Sequence, residues 1–355
     1  MLKFFSLKPE VFGLDIDDLS LRIVKLKKSK KGFQLVSFSE VEIEKGIVED
    51  GVIKNPDTLS SFINQTARKV FGKKLGTNFV IASLPEEKSF SQIIQMPFMS
   101  EEELKFAVPL EAGNYIPFSL DKVYLDFQII NTTNNTKKVI DVLINVMPKQ
   151  IVDSYVACIK KAGLSPYVLE VESQAMVRAL LNKSDKDPSL IIELKEAKTN
   201  LIVYFNKCIR FTSSMQVSSR QITEAISNQL GFSFNEAEKI KVRYGLPGDH
   251  QKRYNIMKVT IPILNDFVNN IRKYLDFYEG HLASETSEKK FKKIILCGGG
   301  ANLKGFSDFL SKKLKIPVVV GDPLVNIESN GNIKFPDKKV LFYTTAIGLA
   351  LREDT

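Results

Sequence analysis

Cysteine, histidine and long apolar runs are all scarce in this chain, and each scarcity closes off a class of function. Its three cysteines, Cys158, Cys208 and Cys297, lie far apart and form no Cys-x-x-Cys pair. That spacing argues against a zinc site and a disulfide framework, and it suits a reducing compartment. The two histidines, His250 and His281, stand alone and read as surface residues rather than catalytic ones. No run of about 18 apolar residues occurs, so the sequence offers no membrane-spanning helix. The opening Met1-Leu-Lys-Phe-Phe-Ser-Leu-Lys-Pro has too short an apolar stretch for a signal-peptide core. The expected compartment is the cytoplasm.

What is present is material for a substantial core. The chain has 355 residues, of which 44% are hydrophobic and 26% charged, enough for two ordinary globular domains. Its formal net charge is +9, and Lys25, Lys27, Lys28, Lys30 and Lys31 cluster around a Ser-Lys-Lys-Gly turn. The simplest reading is a solvated hairpin tip. The alternative is a contact with anionic lipid headgroups beside an inner-membrane partner. Aromatics are not interleaved with these lysines as in a base-stacking platform, so nucleic acid is not expected.

Periodicity organises the chain. Val11 to Ile16, Leu21 to Leu26 and Phe33 to Ile43 read as three strands, followed by a helix from Pro56 to Phe71 and a strand from Asn78 to Ser83. Asn55-Pro56 supplies a cap and a first-turn proline for that helix. Next come a strand over Ser89 to Gln95 and a helix opened by a Ser100/Glu103 capping box. Strands over Val123 to Ile130 and Val139 to Val146 follow, joined by the turn signal Asn131-Thr-Thr-Asn-Asn-Thr. A helix from Lys149 to Ala162, a strand over Tyr167 to Val171 and a helix over Ser173 to Leu181 complete the first part. Lys183-Ser-Asp-Lys-Asp-Pro then breaks the chain.

Beyond the break, strands over Leu190 to Glu193, Asn200 to Phe205 and from Cys208 echo the opening. Helices follow over Arg220 to Gly231, Asn235 to Tyr244 and Val259 to Leu282. A strand over Lys293 to Cys297, the turn Gly298-Gly-Gly-Ala-Asn-Leu-Lys-Gly, a helix and a strand over Val318 to Val320 close the pattern. A strand-turn-strand-turn-strand start occurring twice predicts duplicated α/β halves. The expected division is a first lobe from 1–88 and 166–183, an inserted α+β subdomain over 89–165, and a second lobe from 184–230 and 291–355. A helical subdomain of the second lobe is expected over 231–290.

Particular residues make the pattern more specific. Gly13-Leu-Asp-Ile-Asp-Asp-Leu-Ser-Leu-Arg resembles the first phosphate hairpin of the actin, FtsA and PilM superfamily, and Leu296-Cys-Gly-Gly-Gly-Ala-Asn-Leu-Lys-Gly-Phe resembles its adenosine motif. Leu110-Glu-Ala-Gly-Asn-Tyr-Ile-Pro-Phe, Val123-Tyr-Leu-Asp-Phe and the terminal Ala346-Ile-Gly-Leu-Ala-Leu-Arg resemble the PilM family in particular. The similarity runs in order along nearly the whole chain. It implies an actin-like (ribonuclease H-like) duplicated α/β fold, two domains around a nucleotide cleft, with a small inserted α+β subdomain.

The resemblance also names candidate site residues. Asp15, Asp17 and Ser20 would belong to the first phosphate turn, and Glu193 and Lys195 to the second. Gly298, Gly299, Gly300 and Asn302 would belong to the adenosine turn, where consecutive glycines admit close backbone approach. A tight strand-to-helix turn needed for packing alone would use the same residues. Glu238 and Lys241, three apart on one helical face, would lie at the ribose and base, or else form an ordinary surface ion pair. ATP and Mg2+ are the implied ligands, with Asp15 and Glu193 reaching magnesium through water.

The phosphate turns depart from the pattern. Where the family has Asp-x-Gly twice, this chain has Asp15-Ile16-Asp17 and Glu193-Leu194-Lys195. Phosphate cradles rely on unobstructed backbone N–H groups. A carboxylate at Asp17 would repel a phosphate charge at about 4 Å by about 4 kcal/mol for an effective dielectric of about 20. Efficient ATP hydrolysis is not expected. Asp17 and Lys195 instead could form an internal salt bridge where phosphate would sit, or both could turn to solvent.

The inserted subdomain is the expected docking module. Relatives of the PilM type bind the short cytoplasmic N-terminal peptide of the membrane protein PilN in a groove beside it, and Tyr115, Ile116, Pro117 and Phe118 form an apolar, proline-fixed stretch that would line the groove or pack in the core. The resemblance thus implies a cytoplasmic scaffold of type IV pilus or related secretion assembly. It would be peripheral to the inner membrane, with a PilN-like partner, other pilus components and scope for oligomers. A nucleotide-binding, polymer-forming FtsA-like protein is the alternative, although the chain shows no distinct C-terminal amphipathic membrane helix and ends at Leu351-Arg-Glu-Asp-Thr. A sugar or acetate kinase is a third reading, but it needs a positioned carboxylate base and a working phosphate cradle, and no base motif is evident.

Overall fold

The structure is a computed structural model, and it describes residues 9–30, 32–131, 139–246, 256–285, 290–328, 333–336 and 339–353. The chain divides into two compact units. One comprises residues 1–181, 323–335 and 343–355, the other residues 182–322 and 336–342.

The first unit starts with β1 (Phe12–Ile16), β2 (Ser20–Lys28) and β3 (Phe33–Glu42), an antiparallel meander. A small hairpin, β4 (Val48–Glu49) with β5 (Val52–Ile53), leads into α1 (Pro56–Arg68), β6 (Phe71–Gly72) and β7 (Phe79–Leu84). The Asn55 side chain accepts from the Thr58 amide at 3.1 Å and caps α1. The helix stops at Arg68, short of the Phe71 expected from periodicity. Phe71-Gly72 pairs instead with Ser37-Phe38 of β3, and Gly72 takes φ +101°, which a helix cannot hold.

The inserted subdomain is β8 (Phe90–Pro97), α2 (Glu101–Ala112), β9 (Val123–Asn131) and β10 (Val139–Pro148), with the sheet ordered β8-β10-β9. Ser100 and Glu103 form the reciprocal capping box at the start of α2. The turn expected after Asn131 lies at residues 132–138, outside the described residues. Ile94, Leu104, Val108, Val142 and Ile144 form the subdomain's own core.

α3 (Lys149–Lys161), β11 (Ser165–Val171) and α4 (Glu172–Leu180) return to the lobe. Ile151, Tyr155 and Ile159 of α3 pack with Phe12, Leu14, Leu59 and Ile63. The separately cored insertion is therefore shorter than 89–165, because the apolar face of α3 is buried against the lobe.

In the second unit β12 (Ser189–Leu194), β13 (Thr199–Phe205) and β14 (Cys208–Met215) form another antiparallel meander. α5 (Ser219–Leu230), α6 (Phe234–Tyr244) and α7 (Ile256–Glu285) follow, then β15 (Lys293–Cys297), α8 (Phe306–Leu314) and β16 (Val318–Val320). The two sheets run β3-β2-β1-β7-β11 and β14-β13-β12-β15-β16, with β6 added at the edge of the first. In each, the first strand pairs antiparallel on one side and parallel on the other. The duplication is thus one of topology. Both first strands are buried along their whole length, as strands covered on both faces must be.

The last helix, α9 (Thr344–Ala350), belongs to the first unit rather than to the second lobe expected for all of 291–355. Its residues are all buried, and two glycines admit it. A Cβ on Gly348 would lie 1.8 Å from the Ala175 carbonyl oxygen of α4, and one on Gly13 would lie 2.4 Å from that of Ala346. We predict that Gly348→Ala lowers stability by about 1–3 kcal/mol or more through overpacking. Gly280→Ala, which meets nothing within 4 Å, should raise stability slightly by favouring α7. Urea midpoints of the two variants check both signs.

Candidate functional site

The turn between β1 and β2 carries the first group of candidates. Asp15, only 3% exposed, accepts from Ser83 Oγ at 3.0 Å, and the same hydroxyl oxygen accepts from the Ile16 amide at 3.0 Å. The Asp17 amide donates to the carbonyl of buried Ser20 at 2.9 Å, and Asp17 Oδ1 accepts from the Asp18 amide at 2.9 Å. Asp18 is buried and holds the Gly51 amide at 2.9 Å. Arg22 on β2 donates through Nε to Glu40 at 3.0 Å. Burial alone would pull this guanidinium down, but Asp15, Asp17 and Glu40 outweigh it and push it up. Tyr155, whose hydroxyl donates to the Gly51 carbonyl, is pushed well up by burial and then by Glu87, Glu172, Asp18 and Asp17. Acidic side chains therefore dominate the surroundings of this turn.

The second unit carries the other turn between β12 and β13. Glu193 is buried and accepts from Asn200 Nδ2 at 3.0 Å, while Asn200 Oδ1 accepts from Ser214 Oγ at 2.7 Å. Lys195 is also buried, with its ammonium 3.7 Å from Glu193 Oε2. The Lys195 amide donates to the Lys198 carbonyl, and the Lys195 and Glu196 carbonyls accept from the Ser219 and Arg220 amides at the start of α5. Cys297, at the end of β15, is pushed well up by burial and by Glu193, so its thiol is unreactive.

The triple glycine follows β15. Gly298 has φ +76° and precedes a single 3-10 turn over Gly299–Asn302, on which Asn302 is half-buried. Added Cβ atoms at Gly298, Gly299 and Gly300 would lie 2.8 Å from the Leu194 carbonyl oxygen, 2.2 Å from the Phe342 ring and 2.4 Å from Leu194 Cγ. The chain itself thus fills the space that the missing side chains leave.

Glu238 and Lys241 share a face of α6, but the pair is not an ordinary surface one. Lys241 is 5% exposed and donates to the Ser219 carbonyl at 3.1 Å, to Ser219 Oγ at 2.8 Å and to Thr223 Oγ1 at 2.7 Å. Its ammonium also lies 2.7 Å from Glu238 Oε2. Burial holds its pKa below the ordinary lysine value, only partly offset by Glu238. The lysine is a staple between α5 and α6. Nothing in the sequence spacing marked Ser219 and Thr223 as its partners, because they lie on a different helix.

Residues 13–354 match the family model described as type IV pilus assembly protein PilM. The chain belongs to the PilM family. Among solved structures, a PilM–PilN type IV pilus biogenesis complex superposes with a TM-score of 0.80 at 22% identity, covering 97% of this chain and 98% of that one. MreB 5 of Spiroplasma citri bound to AMPPNP superposes at 0.56 with 13% identity, over 95% and 94% of the two chains. These likenesses show the actin-like fold. The cell division protein FtsA of Neisseria meningitidis serogroup B is 26% identical over 215 residues, covering 54% of this chain and 49% of that protein. The chain spans about half the length of the curated relatives it matches.

In each of the two turns the candidate amides are engaged within the chain. A phosphate cradle needs N–H groups aimed outward. Here the amides of Asp17, Asp18 and Lys195 are taken up by the chain itself, and the first turn presents carboxylates. Among the described residues no group of three or more His, Cys, Asp or Glu side chains gathers in a metal-binding arrangement.

The inserted subdomain divides its candidate residues. Ile116 is buried in the local core, whereas Tyr115 and Phe118 are each 41% exposed and Pro117 is exposed as well. Sequence reading missed the more exposed apolar residues that precede them on α2. Phe106 and Leu110, four residues apart on one helical face, are 78% and 77% exposed. Leu120 lies beside the same helix end, its Cδ1 3.4 Å from a Cβ placed on Gly113. The signal was available in the spacing, since Leu104 and Val108 mark the inner face of α2 and leave Phe106 and Leu110 outside.

We predict that Lys241→Met destabilises the chain by about 1–3 kcal/mol, because Thr223 and Ser219 lose their partner and Glu238 loses its counter-charge. Glu238→Gln, at a partly exposed carboxylate, should cost less than about 1 kcal/mol. Guanidinium unfolding of both variants gives the comparison.

Proposed function

We propose that this PilM-family chain is a cytoplasmic scaffold of type IV pilus or related secretion assembly. It docks the N-terminal cytoplasmic peptide of a PilN-like inner-membrane protein and does so without a catalytic nucleotide cycle. The observation that carries the proposal is the exposed apolar face of the inserted subdomain, formed by Phe106, Leu110, Tyr115, Phe118 and Leu120. Several large apolar side chains left exposed on one subdomain mark an interaction surface, and anchors at helical spacing suit a short peptide. The neighbour of the same fold was solved as a PilM–PilN complex, which supports the choice of partner. The self-satisfied hydrogen bonds of both phosphate turns support a scaffold that is assembled before any ligand arrives.

A labelled N-terminal peptide from the cognate PilN-like protein tests the reading by fluorescence anisotropy. Leu110→Asp and Phe118→Asp should each weaken binding by about tenfold or more, as expected for a central apolar anchor. Wild-type affinity in both variants would overturn the docking face.

Calorimetry with ATP and magnesium tests the second half. The wild type should show no saturable binding at micromolar concentrations, and Asp17→Gly combined with Lys195→Gly should restore it if the two side chains are what exclude phosphate. Tight ATP binding by the wild type, together with filaments by sedimentation, would favour the FtsA-like alternative instead.

A further inference from the structure

A run of exposed cations lies along one edge of the first sheet. Arg68-Lys69-Val70-Phe71-Gly72-Lys73-Lys74 crosses from the end of α1 into the edge strand β6, with four cations and no anion among seven residues. All four cations are exposed. Among the described residues none of them forms an ion pair, nor does Lys334.

Register places further cations on the same edge. Ser39 Oγ donates to the Lys69 carbonyl, Gly72 pairs with Ser37, and the Lys73 amide donates to the Val36 carbonyl. The segment therefore runs along β3 toward the tip of the β2–β3 hairpin, where Lys27, Lys28 and Lys30 are exposed. Lys334 adjoins Ile333, whose Cδ1 lies 2.7 Å from a Cβ placed on Gly72. From Ser39 to Phe33 the edge is about 20 Å long at about 3.3 Å per residue; at its Phe33 end Ile327 and Glu328 pair with β3, and the Glu328 carboxylate accepts from Gln34 and Ser29.

The tip itself differs from the solvated lysine cluster expected from sequence. Lys25 is buried, bonded to the Leu75 carbonyl and to Glu10, and so tethers the segment after β6. Lys28 is paired with Glu353, and Lys31 lies outside the described residues.

Phe71 stands among these cations and is 61% exposed. Its ring rests on Phe38 with centroids 5.2 Å apart, and Phe38 in turn packs on Phe335 at 4.7 Å. A rigidly backed aromatic with its outer side open, flanked by lysine and arginine, is the chemistry of an interfacial anchor. A single ring gives no row on which successive bases could stack. Cations spread along about 20 Å match an extended anionic surface better than a point ligand.

We propose that this sheet edge docks on an anionic lipid bilayer, with Arg68, Lys69, Lys73 and Lys74 facing the headgroups and Phe71 entering the interface. The inference stands independently of the peptide-docking face, which lies on the inserted subdomain.

Vesicle co-sedimentation of the full chain tests it, comparing pure phosphatidylcholine with phosphatidylcholine containing phosphatidylglycerol. The wild type should partition onto the anionic vesicles only, and lose that binding as salt rises and shortens the screening length. Replacing Arg68, Lys69, Lys73 and Lys74 together by Gln should reduce partitioning at least a hundredfold, at about fivefold per cation. Phe71→Ser should weaken it several-fold at unchanged charge. As a control for net charge, replacing four cations outside this edge, Lys239, Lys312, Lys313 and Lys315 of the second unit, by Gln should cost far less partitioning than the first quadruple variant.

Equal binding to neutral vesicles, equal loss in the two quadruple variants, or no loss in the first would each overturn the proposal. So would retention of the wild type on duplex DNA but not on vesicles. Circular dichroism and the thermal midpoint establish that the variants remain folded, and PilN-like peptide binding should be unchanged in all of them.

Discussion

The contact on which the first unit depends is the approach of α9 to β1 and α4. At Gly348 and Gly13 the backbone of one element occupies the place of a side chain on the next. No larger residue fits at 1.8 Å and 2.4 Å from a carbonyl oxygen, so the helix seats only because both positions lack a Cβ. This seating covers the outer face of β1, pins its register against β2 and β7, and thereby fixes the turn that carries Asp15 and Asp17. It also ties α9 to the first strand, so the first unit is assembled from segments far apart in the sequence.

The buried charges show a second constraint, which is that each turn satisfies itself. Asp15, Asp18, Glu193, Lys195 and Lys241 are all buried, and each has hydrogen-bonding or ionic partners within its own unit. Burying an unpaired charge is costly, and removing one partner of a buried pair is costlier than replacing both by apolar groups. Packing explains why the triple glycine is needed here: Leu194 and Phe342 crowd the turn, and the strand-to-helix connection would not close over any side chain.

The surface of the first unit is as specialised as its interior. Large apolar side chains lie outward on the inserted subdomain, while exposed cations and one braced phenylalanine lie along β6 and the neighbouring hairpin. A core obtained from separate clusters in the lobe and in the insertion frees α2 from structural duty on its outer face. The two surfaces are thus products of where the core stops, not of composition.

Much of this was legible in the sequence. Alternation and turn residues gave the strands of both meanders, Asn55 and Ser100 marked two helix starts, and Gly13 to Arg22 and Leu296 to Phe306 carried the family. These are local properties, fixed by the period of the pattern and by which residues tolerate a cap or a tight turn. The outcome at other positions depended on contacts between residues far apart in the chain. Lys25 looked like one of five surface lysines until Glu10 and Leu75 enclosed it, and Lys241 like half of a surface pair until α5 supplied Ser219 and Thr223. Periodicity extended α1 to Phe71, but pairing with β3 claimed that residue for a sheet edge. Sequence determined the elements and the family because those follow from near neighbours; only the tertiary structure decided which charges are buried and which faces remain open, because burial is set by partners that no local pattern names.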